Sequence, residues 1–142
     1  MELTIVLPAL DEADNLSLLL PKVHDVARSV GAYEILVVDG GSSDDTATRA
    51  AHHGARVLLQ KERGYGNALK EAFAEARGKY VVTMDADYSH DPSFIRDLYT
   101  ARHRGAVVIA SRYCPGGSSD VSGLRSVLSR ILNAVFRRVL AI

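Results

Sequence analysis

Several features that would mark particular classes of protein are missing from this sequence. It has no tryptophan, and only six tyrosines and three phenylalanines, so we expect a core of aliphatic side chains. Its single cysteine, Cys114, cannot form an internal disulfide, which is compatible with a reducing compartment. No basic leader precedes the first apolar run, and no stretch reaches the roughly 18 apolar residues of a membrane span. We therefore expect a protein that is soluble or peripheral at a membrane.

The motifs of several enzyme classes are missing as well. The sequence contains no P-loop and no serine or cysteine nucleophile elbow, and its five histidines lack metal-ligand spacing. The stretch Gly64-Tyr65-Gly66-Asn67-Ala68 faintly matches a dinucleotide-binding fingerprint. That fingerprint belongs after a first strand, whereas here it follows the third, so the pattern argues against an oxidoreductase.

Acidic residues are absent from the end of the chain. No Asp or Glu follows Asp120, so residues 121–142 carry a charge of +4 and the first 120 residues carry −4. The four bases in that last segment are Arg125, Arg130, Arg137 and Arg138. This asymmetry indicates an anionic ligand or surface near the C-terminus.

Short apolar runs alternate along the chain with helical patterns. The runs predict strands at 3–7, 34–38, 56–59, 80–84 and 106–110, with helices between them and a last amphipathic helix at 124–142. Because the strands are continuously apolar, both faces of their sheet should be covered, as in a mainly parallel α/β sheet flanked by helices. We expect a core over residues 1–123 and a separate basic helix over 124–142.

Finer local signals accompany this pattern. Asp11 or Asp14 is expected to cap the first helix, and Asp44 or Asp45 the second. The helix after the third strand should bury one face, made of Ala68, Leu69, Ala72, Phe73 and Ala76. Pro92 suits the first turn of the next helix, which should run to about His103.

Polar residues follow the strands where ligands bind in such sheets, outside the carboxyl ends. They occur in segments 8–12, 39–45, 85–87 and 111–112. Asp85 and Asp87 could face one divalent ion, for which hard oxygen ligands suit Mg²⁺ or Mn²⁺, or they could be a solvated strand end. Asp39 could accept hydrogen bonds from a nucleobase or ribose, or it could serve only its Asp-Gly-Gly-Ser turn.

Taken together, these residues resemble glycosyltransferase family 2, and within it the dolichol-phosphate (polyprenyl-phosphate) mannosyltransferases. The matching stretches are Leu7-Pro8-Ala9-Leu10-Asp11-Glu12, Val37-Val38-Asp39-Gly40-Gly41-Ser42-Ser43-Asp44, Gly64-Tyr65-Gly66-Asn67-Ala68, Met84-Asp85-Ala86-Asp87-Tyr88-Ser89-His90-Asp91-Pro92, Ser111-Arg112-Tyr113, and Arg125, Ser129, Arg130 and Asn133. They cover nearly the whole chain in order. The resemblance implies a GT-A fold, which is Rossmann-like and binds nucleotide sugars.

The resemblance also implies roles for individual residues. The base and ribose of the donor would be lined by Pro8, Leu10, Glu12, Val38 and Asp39. Asp85 and Ala86 would lie along the donor, and Asp87 with Ser89 would hold Mg²⁺ or Mn²⁺. Arg112 would meet phosphate and, with Asp85 and Asp87, would be catalytic. Arg125 and Arg130 would face the acceptor phosphate or the diphosphate.

Two positions depart from the family pattern. Gly40 stands where the family often has a second acid, and Ser89 where it often has Gln. The chain also ends at Ile142, before the acceptor-side segment of the family, so we expect it to be a part of a longer enzyme.

The expected activity is metal-dependent, inverting transfer of mannose from GDP-mannose to a polyprenyl or dolichyl phosphate. The alternatives are a transferase of the same fold that uses a UDP-sugar, and a donor-binding fragment without activity of its own. The last helix could lie in a membrane interface, or it could pack on the sheet or on the missing part of the protein. We expect a peripheral protein at the cytoplasmic face of a membrane, aided by the missing segment or by a membrane-anchor partner, and no nucleic acid.

Overall fold

Four parallel strands form one sheet in the computed structural model, which describes residues 1–111. They are β1 (Leu3–Ala9), β2 (Tyr33–Asp39), β3 (Arg56–Leu59) and β4 (Tyr80–Thr83), in the order β3-β2-β1-β4. The helices between and after them are α1 (Ala13–Ala27), α2 (Thr46–His52), α3 (Tyr65–Glu75) and α4 (Phe94–Ala101). The predicted parallel α/β sheet is confirmed, and its first four predicted strands agree closely with the observed ones.

The central strands β1 and β2 are buried on both faces because their side chains alternate between two apolar clusters. One cluster contains residues of both strands and the inner face of α1, among them Leu3, Ile5, Leu7, Leu16, Leu19, Leu20, Val23, Ile35 and Val37. The opposite cluster contains Val6, Leu36, Val38, Ala68 and Ala72. Helices thus cover both faces of the sheet, which explains the continuous apolar sequences of the two strands.

Helix α3 packs on the sheet through small side chains. Ala68 and Ala72, one turn apart, are buried against β1 and β2. The expectation that Phe73 belongs to the buried face was wrong, since Phe73 is 54% exposed. It follows Ala72 directly, so its side chain is turned about 100° around the helix from that contact.

The predicted strand at 106–110 is not formed. This segment has no regular secondary structure, and Val107 and Ile109 are 78% and 80% exposed. An apolar run becomes a strand only when a neighbouring strand completes its backbone hydrogen bonds, and within residues 1–111 it pairs with none. Helix α4 likewise ends at Ala101, slightly before the predicted end at His103.

Almost all of the described residues lie in one compact unit, Met1–Val108. None of the helices within residues 1–111 has the length and apolar character needed to cross a membrane. The predicted basic helix at 124–142, the division after residue 123, and the residues Arg112, Arg125 and Arg130 lie outside the described residues and stay predictions.

A polar network joins the amino ends of the four strands. Glu34 on β2 accepts hydrogen bonds from the Thr4 hydroxyl on β1 (2.8 Å), the Arg56 Nε on β3 (3.1 Å) and the Arg77 N–H just before β4 (2.8 Å). The N–H of Gly78 donates to Thr4 Oγ1 at 2.8 Å. Gly78 must be glycine here, since a Cβ would lie 2.4 Å from the Thr4 nitrogen. This network holds the amino ends of the four strands together.

Burial by itself raises the pKa of Glu34, but the hydrogen bonds from Arg56, Thr4 and the Arg77 N–H outweigh that effect and lower the pKa below its usual 4.5. Replacing Glu34 by Gln should destabilise the protein by about 2 kcal/mol, because an ionised acceptor is lost. The contribution of Glu34 is complete above the pKa of the unfolded chain and disappears as the pH falls through the lower folded pKa. Urea denaturation should show a constant difference between wild type and Glu34→Gln above about pH 5, which shrinks at more acidic pH.

Glu75 offers a matched control for this prediction. Its carboxylate lies 3.6 Å from the same Arg56 guanidinium, but its side chain is 55% exposed, against 9% for Glu34. Glu75→Gln should therefore change the free energy of unfolding by less than about 0.5 kcal/mol. Equal losses of unfolding free energy in the two variants would contradict the role of Glu34 in joining the strands.

Candidate active site

The carboxyl ends of the parallel strands bring several loops to one edge of the sheet. Ala9 at the end of β1 is paired with Asp39 at the end of β2, and β4 runs parallel to β1 on its other side. The loops that start at this edge span residues 10–12, 40–45, 60–64 and 84–93. Three of the four predicted site segments are therefore at a shared edge, and the fourth, with Arg112, lies outside the described residues.

Ser42 connects the loop after β1 to the loop after β2. Its hydroxyl accepts a hydrogen bond from the Asp11 N–H (3.0 Å) and donates one to Asp39 Oδ1, which also accepts the Ser42 N–H (2.9 Å). In return, Asp11 Oδ1 accepts from the N–H (2.7 Å) and the hydroxyl (3.0 Å) of Ser43. Asp11 adopts a left-handed backbone with φ of 56°, which is uncommon outside glycine and is held here by these contacts.

Thr46, the first residue of α2, makes a second connection of the same kind. Its hydroxyl accepts from the Glu12 N–H (2.8 Å) and donates to Asp44 Oδ1. Asp44 Oδ2 in turn accepts the N–H of Ala13, the first residue of α1, at 3.1 Å. Hydrogen bonding by Thr46, followed by that of the Ala13 N–H, lowers the pKa of Asp44 and keeps this carboxylate ionised.

Helix α1 is therefore capped from a different loop. The expectation that Asp11 or Asp14 would cap it was wrong, because Asp11 is engaged by Ser43 and Asp14 lies inside the helix with its side chain 97% exposed. At α2, Asp45 occupies the N-cap position without a capping side-chain hydrogen bond, and Asp44 Oδ1 accepts the Thr46 N–H at 2.9 Å instead.

The residues expected around the base and ribose differ in accessibility. Asp39 is only 4% exposed, and within residues 1–111 its Oδ2 accepts no hydrogen bond. Leu10 is 58% exposed, whereas Pro8 and Glu12 are half-buried. Val38 is fully buried in the cluster with α3, so it can offer a ligand only its backbone.

Asp85 and Asp87 are both exposed. They alternate with Met84 and Ala86, which are buried in the core at 4% and 3% exposure. The buried side chain of Ala86 consequently anchors this segment to the core. The Tyr65 hydroxyl, at the start of α3, lies 3.5 Å from Asp85 Oδ1, and burial, followed by the negative charge of Asp85, raises the pKa of Tyr65.

The turn after Asp87 holds that carboxylate in its ionised form. Hydrogen bonds from the hydroxyl and the N–H of Ser89 (N–H to Oδ1, 2.9 Å) lower the pKa of Asp87, and His90 lowers it further. Tyr88, which lies between Asp87 and Ser89, has a left-handed backbone with φ of 61°. Its ring packs on the core, with the Lys22 ammonium 4.6 Å from the ring centroid, so α1 stabilises this strained turn.

These residues fit a divalent ion whose coordination is completed by the substrate. Within residues 1–111, no three His, Cys, Asp or Glu side chains are grouped as a full metal site. Two exposed carboxylates, one of them with a lowered pKa, match the one or two that hold Mg²⁺ beside substrate phosphates. The Ser89 hydroxyl lies 2.8 Å from His90 Nδ1, a contact that a metal at this oxygen would have to share.

Sequence reasoning missed the residues that hold the loops together. Ser42 lies three residues after Asp39, and Thr46 two after Asp44, spacings typical of local side-chain-to-backbone turns. That signal could reveal the bonds within the second loop. It could not reveal that both hydroxyls also accept N–H groups more than 30 residues earlier in the chain.

Comparison with known proteins places the chain among transferases of sugars. The model of glycosyl transferase family 2 matches residues 4–140. A protein of Mycobacterium tuberculosis named as an uncharacterized glycosyltransferase is 37% identical over 112 residues, which are 79% of this chain and 49% of that protein. A dolichol-phosphate mannosyltransferase of Pyrococcus furiosus is 33% identical over 126 residues, covering 84% of this chain and 36% of its relative.

A solved structure has the same fold. Glucosyl-3-phosphoglycerate synthase from Mycobacterium tuberculosis, in complex with Mn²⁺ and UDP-glucose, aligns with a TM-score of 0.63 and 29% identity over 71% of this chain and 39% of that one. This likeness confirms the predicted GT-A fold. The chain spans about half the length, or less, of the relatives that it matches.

Replacing Thr46 by Val should show that the link between the two loops supports the fold. Thr46 is fully buried, and valine has nearly the same shape but leaves the Glu12 N–H without its acceptor. We expect a loss of about 1–2 kcal/mol in the free energy of unfolding, measured by urea denaturation. Thr48→Val, at an exposed position of the same helix, should change it by less than about 0.5 kcal/mol. Equal stability of the two variants would argue against the link.

Proposed function

Because the chain belongs to glycosyl transferase family 2, we propose that it is the donor-binding part of a glycosyltransferase that moves a sugar from a nucleotide to a lipid-linked phosphate. The observation that carries this proposal is the shared edge of the sheet. Asp39, one of whose carboxylate oxygens accepts no hydrogen bond within residues 1–111, follows β2 there, and the exposed pair Asp85 and Asp87 follows β4. A base or ribose at the first and a diphosphate at the second would span that edge.

The proposed donor is GDP-mannose, and the proposed acceptor is a polyprenyl or dolichyl phosphate. Support comes from the dolichol-phosphate mannosyltransferase of Pyrococcus furiosus, with which this chain shares 33% identity. A UDP-sugar is the second candidate, and a specific observation favours it. The position after Asp39 is Gly40, where the family often has a second acid, and the solved synthase of the same fold holds UDP-glucose.

Asp87 and Ser89, helped by Asp85, would hold Mg²⁺ or Mn²⁺ in this proposal. When bound, such an ion supplies positive charge against the diphosphate leaving group. Asp87 is suited to this role because Ser89 lowers its pKa and keeps it ionised at neutral pH. Arg112 would contact the same phosphates. A phosphate acceptor is already anionic and needs no general base, in agreement with a site in which the pKa values of Asp44 and Asp87 are lowered.

Arg125 and Arg130 would bind the acceptor phosphate or the diphosphate from the predicted helix at 124–142. Basic side chains near an anionic lipid surface each gain about 1 kcal/mol, which would place the protein at the cytoplasmic face of a membrane. A membrane-anchor partner or a further segment of the protein would complete the acceptor side. Without it, the chain would act as a donor-binding fragment.

Thermal unfolding with nucleotide sugars tests the donor and the metal. GDP-mannose with Mn²⁺ at 100 times its dissociation constant should add about 2.7 kcal/mol to the stability of the chain. Asp87→Asn should remove the part of this gain that depends on Mn²⁺, because an ionised oxygen ligand is lost. Asp97→Asn, an equal change of charge at an exposed position of α4, should keep it. A preference for UDP-sugars would show that the donor is a UDP-sugar and not GDP-mannose. If the Mn²⁺-dependent gain in stability were the same in Asp87→Asn as in the wild type, the metal assignment would be refuted.

Transfer of labelled mannose from GDP-mannose to a polyprenyl phosphate tests the reaction itself. We expect the lipid product to depend on Mg²⁺ or Mn²⁺ and to disappear in Asp87→Asn. Turnover by these 142 residues alone would exclude the binding-fragment alternative. Donor binding without any transfer would support that alternative instead.

A further inference from the structure

We propose that the side-chain oxygen of Gln60 accepts a hydrogen bond from the nucleobase of the donor and so helps to select the base. An acceptor at this point favours a base with a ring N–H, which guanine has at N1 and uracil at N3. Adenine and cytosine present an acceptor at the corresponding ring nitrogen, which would repel the Gln60 oxygen. This inference rests on the proposed function, because it concerns the same nucleotide.

Gln60 lies beside Asp39 at the carboxyl edge of the sheet. It is the first residue after β3, and its N–H donates to the Asp39 carbonyl oxygen at 2.9 Å, which extends the pairing of the two strands. The residue is half-buried, so part of its surface remains accessible. The backbone thus brings a second polar side chain next to the acid that is expected to meet the base or ribose.

The orientation of the Gln60 carboxamide follows from its partners. Its Nε2 donates to the carbonyl oxygens of Glu62 and Gly64, the latter at 2.7 Å. Carbonyl oxygens can only accept, so turning the amide over would place oxygen against oxygen. Oε1 must therefore face away from the loop at 62–64. Within residues 1–111 no group donates a hydrogen bond to it.

That oxygen faces the space above Gly40. It lies 3.3 Å from the point where a Cβ on Gly40 would be, and Leu10 Cδ1 lies 3.6 Å from the same point. The Gln60 oxygen and the exposed side chain of Leu10 therefore border one position next to Asp39, which suits the edge and the face of a flat base. Any side chain at residue 40 would crowd this space, whereas glycine leaves it open.

Titration calorimetry with GDP, UDP, ADP and CDP, each with Mn²⁺, tests the proposal on the 142-residue chain. The wild type should prefer GDP or UDP, and the panel shows which of the two. Gln60→Leu should weaken the preferred nucleotide by about tenfold and leave ADP and CDP within about twofold, because the contact to the base is lost only by the nucleotides that make it. The four affinities should therefore converge.

A control separates contact with the base from support of the loop. Glu71 on α3 holds the same loop by accepting the N–H groups of Lys61 (3.0 Å) and Glu62 (3.1 Å). Glu71→Ala loosens this loop while Gln60 keeps its oxygen, so the preference among bases should persist. If Glu71→Ala reproduced the effect of Gln60→Leu, or if Gln60→Leu weakened all four nucleotides equally, the proposal would be overturned.

Gly40→Ala provides a second variant that does not remove the amide donors of Gln60. The backbone of Gly40 is outside the left-handed region, so alanine is allowed there, and its Cβ would screen Oε1. We expect the same convergence of affinities, and an unchanged base preference in this variant would count against the proposal.

If the wild type bound none of the four nucleotides, the proposed function would fail and this inference with it. Binding that responds to neither substitution would overturn the inference alone.

Discussion

The hydrogen-bonded junction between the loops after β1 and β2 is the feature on which the rest of the site depends. The first N–H groups of a helix have no partner within that helix. In α1 and the residues before it, these donors are satisfied by Ser42, Asp44 and Thr46, all from the neighbouring loop. The start of α1 is therefore tied to the end of β2. Glu12 and Asp39 are held in a fixed relation that neither loop could maintain alone.

The two edges of the sheet are built differently, and this difference separates stability from function. At the amino edge, Glu34 and Thr4 join all four strands, and Gly78 allows the chain to pass against the Thr4 backbone. At the carboxyl edge, carboxylates are left accessible at Asp85 and Asp87. The left-handed backbones of Asp11 and Tyr88 also lie there. Strained residues persist only where their surroundings hold them, and they concentrate where a ligand is bound.

Membership of glycosyl transferase family 2 and the GT-A fold agree with this division of labour. A fold of this class places the ligand across the strand ends, so small changes at those ends alter specificity without disturbing the core. Gly40 and Gln60 illustrate the point. Gly40, which has no side chain, leaves a space after β2 that is bordered by the neutral amide of Gln60 after β3. The buried cluster that contains Val38 is unaffected.

The sequence by itself determined the fold class, the first four strands and the segments that reach the site edge. Continuous apolar runs can be buried only in a covered sheet, and residues such as Asp39 and Asp85 directly follow those runs. What only the tertiary structure decided depends on contacts between distant parts of the chain. The capping of α1 by Asp44 links positions about 30 residues apart, the exposure of Phe73 reflects which side of α3 meets the sheet, and the missing strand at 106–110 reflects the lack of a pairing partner. The orientation of the Gln60 carboxamide likewise depends on two carbonyl groups that only the folded loop presents to its amide. Local patterns encode burial and turns, whereas the pairing of hydrogen-bond donors with acceptors across the molecule is settled only when the chain is folded.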